Sequence, residues 1–182
     1  MKKKTLGLVL ILLIVATVSL SAASMGSIGL VNYGSLAMFE DAETPAEDFL
    51  TGLRGEFYFG EYLGVSADAL ILWGDPDSEV YWMIYFVNVM GRLPLGMIEP
   101  YAGIGAKYQG IIVGEESEIA EEPFGFNFRG GVDINILEWL SVGIEANYHI
   151  DDLEVFFNDI PAYFEANSLE NSLIGVTAKF KF

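Results

Sequence analysis

The stretch Phe124-Gly125-Phe126-Asn127-Phe128-Arg129-Gly130-Gly131-Val132-Asp133-Ile134-Asn135-Ile136 decides the fold. One parity reads Phe124, Phe126, Phe128, Gly130, Val132, Ile134 and Ile136, and the other reads Gly125, Asn127, Arg129, Gly131, Asp133 and Asn135. Successive side chains of a strand point to opposite faces, so this period of two gives one apolar face and one polar face. The same split recurs over 140–150, where Leu140, Val142, Ile144, Ala146, Tyr148 and Ile150 oppose Ser141, Gly143, Glu145, Asn147 and His149. It returns over 174–182, where Ile174, Val176, Ala178, Phe180 and Phe182 oppose Gly175, Thr177, Lys179 and Lys181.

Five further segments have strand character, at 27–39, 51–59, 63–73, 81–93 and 101–112, which makes eight strands. The first and fourth alternate poorly, and their facing is left open. Long connections at 40–50, 74–79, 114–123 and 151–171 alternate with tight ones at 60–62, 94–100 and 137–139. That alternation is the signature of an all-β, eight-stranded antiparallel up-and-down barrel.

Part of the chain repeats. Glu61-Tyr62-Leu63-Gly64-Val65-Ser66-Ala67-Asp68-Ala69 aligns without gaps to Glu138-Trp139-Leu140-Ser141-Val142-Gly143-Ile144-Glu145-Ala146, and each follows an Arg-Gly pair, Arg54-Gly55 and Arg129-Gly130. Two hairpins of one design are expected, with Arg54 opposite Asp68 and Arg129 opposite Glu145. A shift of two residues in register would keep the faces and change the partners.

The N-terminus carries Lys2, Lys3 and Lys4, an apolar run over 6–18, and small residues at Ser21, Ala22 and Ala23. This reads as a signal peptide over 1–23, cleaved after Ala23, followed by a barrel domain over 24–182. The chain has no cysteine, so neither disulfides nor thiol chemistry enter.

Charge decides between a soluble barrel with an apolar core and a membrane barrel with a polar one. Of nine basic residues, three belong to the N-terminal segment, and Arg54, Arg92, Lys107, Arg129, Lys179 and Lys181 all fall on the polar face. A soluble barrel would scatter more charge over its outer face. Here the polar face instead carries Gly29, Gly64, Gly103, Gly105, Gly125, Gly131, Gly143 and Gly175, small enough for a narrow lumen. Trp73, Trp82 and Trp139 stand near strand ends, as membrane-interface aromatics do. A transmembrane barrel in the outer membrane is expected, in contact with its lipid.

Pro100-Tyr101-Ala102-Gly103-Ile104-Gly105, Phe128-Arg129-Gly130-Gly131-Val132-Asp133 and Leu140-Ser141-Val142-Gly143-Ile144-Glu145-Ala146-Asn147-Tyr148 resemble the small outer-membrane β-barrel family of the OmpA and OmpX type, including its opacity-protein-like porin members. The resemblance extends over 24–182. It implies that Phe180 and Phe182 form a C-terminal signal for the barrel-assembly machinery. It implies little about activity, because members include anchors, adhesins, small pores and a few enzymes.

An interior charge network of Arg54, Glu56, Asp68, Arg92, Lys107, Arg129, Asp133, Glu145 and Lys179 is expected, because an unpaired buried charge is costly and the lumen narrow. The first functional expectation is a closed structural or surface-interaction protein, and the second a small passive channel for ions or small solutes. No enzyme is expected. His149 is the only histidine, with Asp151 and Ser172 as the nearest candidates for a catalytic set. The residues suggest no cofactor, metal cluster or nucleic-acid partner. The segments 40–48, 75–79, 115–122 and 151–170 hold nineteen of the 26 acidic residues and no Lys or Arg, which makes an acidic rim open to an extracellular partner. Asp75, Asp77 and Glu79 have ligand-like spacing, but Pro76 and a missing turn glycine depart from a calcium loop. Phe156, Phe157, Ile160, Tyr163 and Phe164 stand out as apolar in the fourth outer connection. They would cap the mouth as a short helix, continue as strand, or form a partner patch.

Overall fold

The computed structural model describes residues 25–36, 49–72, 80–113, 116–167 and 171–182, with side chains left out at 80–82, 111–123 and 165–167. Its elements are β1 (Gly26–Ser35), β2 (Leu50–Phe59), β3 (Leu63–Leu72), β4 (Val80–Arg92), β5 (Ile98–Val113), β6 (Glu116–Leu137), β7 (Leu140–Ile150), α1 (Leu153–Asn158), α2 (Ile160–Asn167) and β8 (Ser172–Lys181). The eight strands pair in sequence order, all antiparallel, and β1 pairs with β8 to close a barrel. At the seam the Gly26 and Phe182 backbones exchange hydrogen bonds of 3.1 and 3.0 Å.

Alternation is the reverse of a soluble protein's. Ile144 is 66% exposed and Val89 60%, whereas Arg54 is 1% exposed and Lys179 fully covered. Apolar residues outside and charges inside are stable only where the surroundings are lipid. The polar-face glycines have a steric reason. Across neighbouring strands, Gly175 faces Tyr33, Gly64 faces Tyr58, Gly103 faces Met90 and Gly131 faces Tyr101. A Cβ on Gly131 would lie 2.6 Å from the Tyr101 ring, and one on Gly175 2.5 Å from the Tyr33 ring. Each of these four large luminal side chains thus lies over a neighbour that has none.

The lumen is not uniformly polar. Val31, Tyr33, Leu50, Leu70, Ile84, Phe86 and Leu173 form an apolar cluster inside it, on β1 to β4 and β8 toward the end that carries the long connections. This explains the poor alternation of β1 and β4: their luminal faces carry Val31 and Tyr33, and Ile84, Phe86 and Met90, so both faces of each strand read as apolar. The six basic side chains, Arg92 on β4 included, stand on the luminal parity.

Several boundaries differ from the sequence expectation. The first strand leaves the sheet after Ser35, and the rest of 27–39 beyond Leu36 lies outside the described residues. The 94–100 connection shrinks to a tight turn, because Leu95 already pairs with Ile98 around Gly96. Gly96 supplies the positive φ, 78°, that a two-residue hairpin requires. The third outer connection is largely strand, since β5 and β6 stay paired out to Val113 and Glu116 past an irregularity at Tyr108/Gly110. Backbone pairing needs no apolar side chains once a hairpin has left the lipid.

The fourth connection forms two short helices. Asp152 caps α1, its carboxylate accepting from the Val155 N–H at 2.8 Å. Asp159 restarts the chain by accepting from the Ala162 N–H at 3.2 Å, and Pro161 follows at the start of α2, where its missing N–H costs nothing.

Candidate functional site

Charged side chains fill the rest of the lumen in layers. In the middle layer Arg54 on β2 donates to Asp68 on β3 through Nε and Nη2, both at 2.9 Å. It also donates to Glu145 on β7 through Nη1 and Nη2, both at 2.6 Å. Strand β7 lies on the far wall, so this guanidinium spans the lumen and neutralises a carboxylate from each side. Arg129 on β6 donates to Asp68 and, at 3.2 Å, to Ser66. Its Nε stands 3.8 Å from Glu145 Oε1. Tyr33 and Tyr101 complete the layer by donating their hydroxyls to Glu145.

Nearer the turn end, Lys179 bridges Glu56 at 2.9 Å and Asp133 at 2.7 Å, with Ser27 donating to Glu56 at 2.8 Å. At that rim, Arg92 and Lys181 both bind Glu99 at 3.1 Å, and the Arg92 guanidinium lies 3.6 Å from the centre of the Tyr58 ring. At the opposite rim, Lys107 pairs with Asp151 at 2.6 Å, and His149 Nε2 is 3.5 Å from the same carboxylate.

Two members of this arrangement escape the sequence reading. Glu99, 5% exposed, is in phase with Tyr101, Gly103 and Lys107, but Pro100 marks it as turn. Asp151 continues the parity of Asn147 and His149 one step past the strand. Including both, six acidic groups (Glu56, Asp68, Glu99, Asp133, Glu145, Asp151) face six basic ones.

Arg54 and Asp68 are cross-strand neighbours, as the repeat implies. Arg129 and Glu145 are not: Arg129 stands opposite Asn147, and Glu145 opposite Gly131. Both hairpins turn about the aligned Glu61 and Glu138, but Arg129 lies two residues farther from its turn than Arg54 does, so its partner falls two positions beyond Glu145; a one-residue irregularity lies between Asn135 and Leu137. Above Arg129, Asn127 donates to Asn88 at 2.8 Å across Gly105. Asn127 Oδ1, Asn88 Nδ2, both amide atoms of Asn147 and His149 Nδ1 are buried without a protein partner among the described residues, and form a polar track toward the outer rim. His149 is luminal, whereas Ser172 faces outward opposite Tyr148, so the two cannot share a catalytic set. Among the described residues no group of three ligating side chains gathers to hold a metal. Asp75, Asp77 and Glu79 lie outside them, as does Trp73, and nothing is described of the Trp82 side chain.

The outer wall carries two aromatic levels. Toward the turn end Trp139, 51% exposed, stacks on Phe180 with centroids 5.8 Å apart, beside exposed Phe182. Toward the other end Tyr85, Tyr108 and Phe124 face one another across β4, β5 and β6, at 6.2 and 5.1 Å. Such levels mark the two edges of an apolar band. Of the fourth-connection rings, Phe164 lies 5.2 Å from Tyr148, whose side chain is on the outward parity of β7, while Tyr163 is buried at the rim with its hydroxyl bound by Asp151 N–H and Asn171.

Solved structures agree with this architecture. The N-terminal β-barrel domain of Pseudomonas aeruginosa OprF matches with a TM-score of 0.61 at 12% identity, over 88% of this chain and 98% of that one. Neisserial surface protein A (NspA) matches at 0.54 and 12%, over 89% and 100%. OprG from Pseudomonas aeruginosa matches at 0.52 and 12%, over 88% and 97%. At such identity the likeness is one of fold. No curated protein sequence matches the chain. A family model, described as an outer membrane protein beta-barrel domain, matches residues 8–182. With an inverted exterior, a closed eight-stranded sheet and a match over nearly its whole length, the chain belongs to the outer-membrane β-barrel domain family and resides in the cell outer membrane.

Proposed function

We propose that the protein is a closed outer-membrane barrel with a structural or surface-interaction role, its lumen sealed by charge pairing and its acidic outer segments turned to the exterior. The observation that carries this reading is the Arg54 bridge. One fully covered guanidinium binds carboxylates from β3 and β7 and thereby occupies the middle of the lumen. Opening a path there would leave buried charges unpaired, at a cost of about 3–5 kcal/mol. The apolar cluster around Phe86 supports the same reading, because it leaves one side of the outer lumen without polar groups to solvate an ion. Export by the segment 1–23, recognition of Phe180 and Phe182 by the barrel-assembly machinery, and an extracellular partner for the outer segments belong to this proposal.

A small passive channel is the second reading, and the polar track of Asn88, Asn127, Asn147 and His149 favours it. The track leads from the outer rim to Arg129, so only the Arg54 layer and the layers below it would have to part. Conductance of the refolded protein in a planar lipid bilayer separates the two readings. A silent bilayer, with folding verified by heat-sensitive gel mobility, is the expected result. Discrete current steps that change in Glu145→Gln would overturn the closed barrel and establish the channel.

A further inference from the structure

We propose that α1 and α2 form a foot that lies in the outer leaflet, so that the fourth connection is a lipid-binding element and not a water-exposed loop. The proposal rests on continuity with the lipid-facing wall. Tyr148 shares its outward parity with Ile144, and in register it stands opposite Phe128 of β6, which is also exposed. Phe164 of α2 packs against Tyr148, Phe156 of α1 lies 6.0 Å from Phe164, and Phe157 lies 5.3 Å from Phe156. The rings thus form one sequence of contacts leading from the barrel wall onto the helices.

The foot is fastened rather than loose. Tyr163 is 3% exposed, and its hydroxyl accepts from the Asp151 N–H at 3.2 Å and from Asn171 Nδ2 at 3.0 Å, which ties α2 to the adjoining ends of β7 and β8. Ile150 is outward on β7 yet completely covered, whereas its register partner Phe126 is exposed. The helices expose a run of apolar side chains, Phe157 at 68% with Val155, Ile160 and Phe164, beside the polar Glu154, Asn158 and Asp159. Aromatic residues on short surface helices at the level of an aromatic girdle suit the boundary between headgroups and acyl chains. Of the acids in these helices and their caps, Asp152 and Asp159 spend their carboxylates on helix N–H groups, which lowers the cost of bringing them near a bilayer.

The absence of cysteine allows a direct test. Phe157→Cys carries an environment-sensitive fluorophore, with Glu118→Cys on the β5–β6 hairpin as the reference position. Both are refolded into phosphatidylcholine vesicles, with folding checked by heat-sensitive gel mobility and Ile160→Cys as the substitute if Phe157→Cys does not fold. The expected result is quenching at 157 by a shallow nitroxide-labelled lipid several-fold stronger than at 118, with several-fold protection from aqueous iodide. Equal iodide access and no lipid quenching at 157 would overturn the proposal. Protection from both quenchers that grows with the protein-to-lipid ratio would assign the patch to a second copy of this chain and overturn it too.

Discussion

Two hairpins built from nearly the same sequence, β2–β3 and β6–β7, treat their arginines differently. In the first, a three-residue turn sets Arg54 opposite Asp68, and the guanidinium has carboxylates on both sides. In the second, two more residues separate Arg129 from the repeated Glu-aromatic-Leu, so the register moves by two and Asn147 stands opposite Arg129. Because the shift is even, both arginines remain luminal. Parity therefore fixes which face a charge occupies, while its distance from the turn fixes which charge it meets.

The sharpest way to break the comparison is to delete each arginine in turn. Arg54→Ala leaves Asp68 paired with Arg129 but Glu145 with only two tyrosine hydroxyls and the distant Arg129 Nε, and is expected to cost about 3–5 kcal/mol. Arg129→Ala leaves both carboxylates bound to Arg54 and is expected to cost about 1–3 kcal/mol. Urea unfolding in lipid vesicles, followed by gel mobility, measures both, and equal losses would refute the asymmetry.

Double-mutant cycles sharpen the same contrast. Coupling between Arg54 and Glu145, joined by two hydrogen bonds, is expected near about 3 kcal/mol, and coupling between Arg129 and Glu145, at 3.8 Å, at about 1 kcal/mol or less. The four groups share one layer, so each cycle requires an intact partner background.

The glycines near the arginines extend the contrast from charge to room, down to the smallest effect, that of Gly55. Gly131→Ala pushes a methyl into the Tyr101 ring and the Glu145 stem and is expected to cost about 1–3 kcal/mol. Gly55→Ala points into open space on the outer wall and is expected to change stability by less than about 1 kcal/mol, in the stabilising direction. The difference in urea midpoint between the two variants tests whether luminal glycines are there for room.

The eight strands were legible because seven or more alternating residues leave little freedom of face, as over 124–136 and 140–150. Legibility failed where the lumen is apolar, at Val31, Tyr33, Ile84 and Phe86, since a strand that is apolar on both faces shows no period. The luminal charges were readable as a set but not as pairs. Arg129 with Glu145 required the turn geometry, and Glu99 required knowing that β5 begins before Pro100, a residue that a strand end tolerates. The helices of the fourth connection had visible signals in Asp152, Asp159 and Pro161, yet nothing local told that Phe164 would meet the outward Tyr148 and not the mouth.

Charge compensation inside the lumen has an electrical consequence. With six acids matched to six bases there, and only Glu61 and Glu138 at the short turns, the acidic excess of the chain belongs to the segments at the opposite end. With those segments turned to the exterior, as proposed above, the protein is an electric dipole along the membrane normal with its negative pole outward. Its field, screened over about 8–10 Å at physiological salt, enriches cations and depletes anions just above the mouth whether or not any one carboxylate binds a ligand.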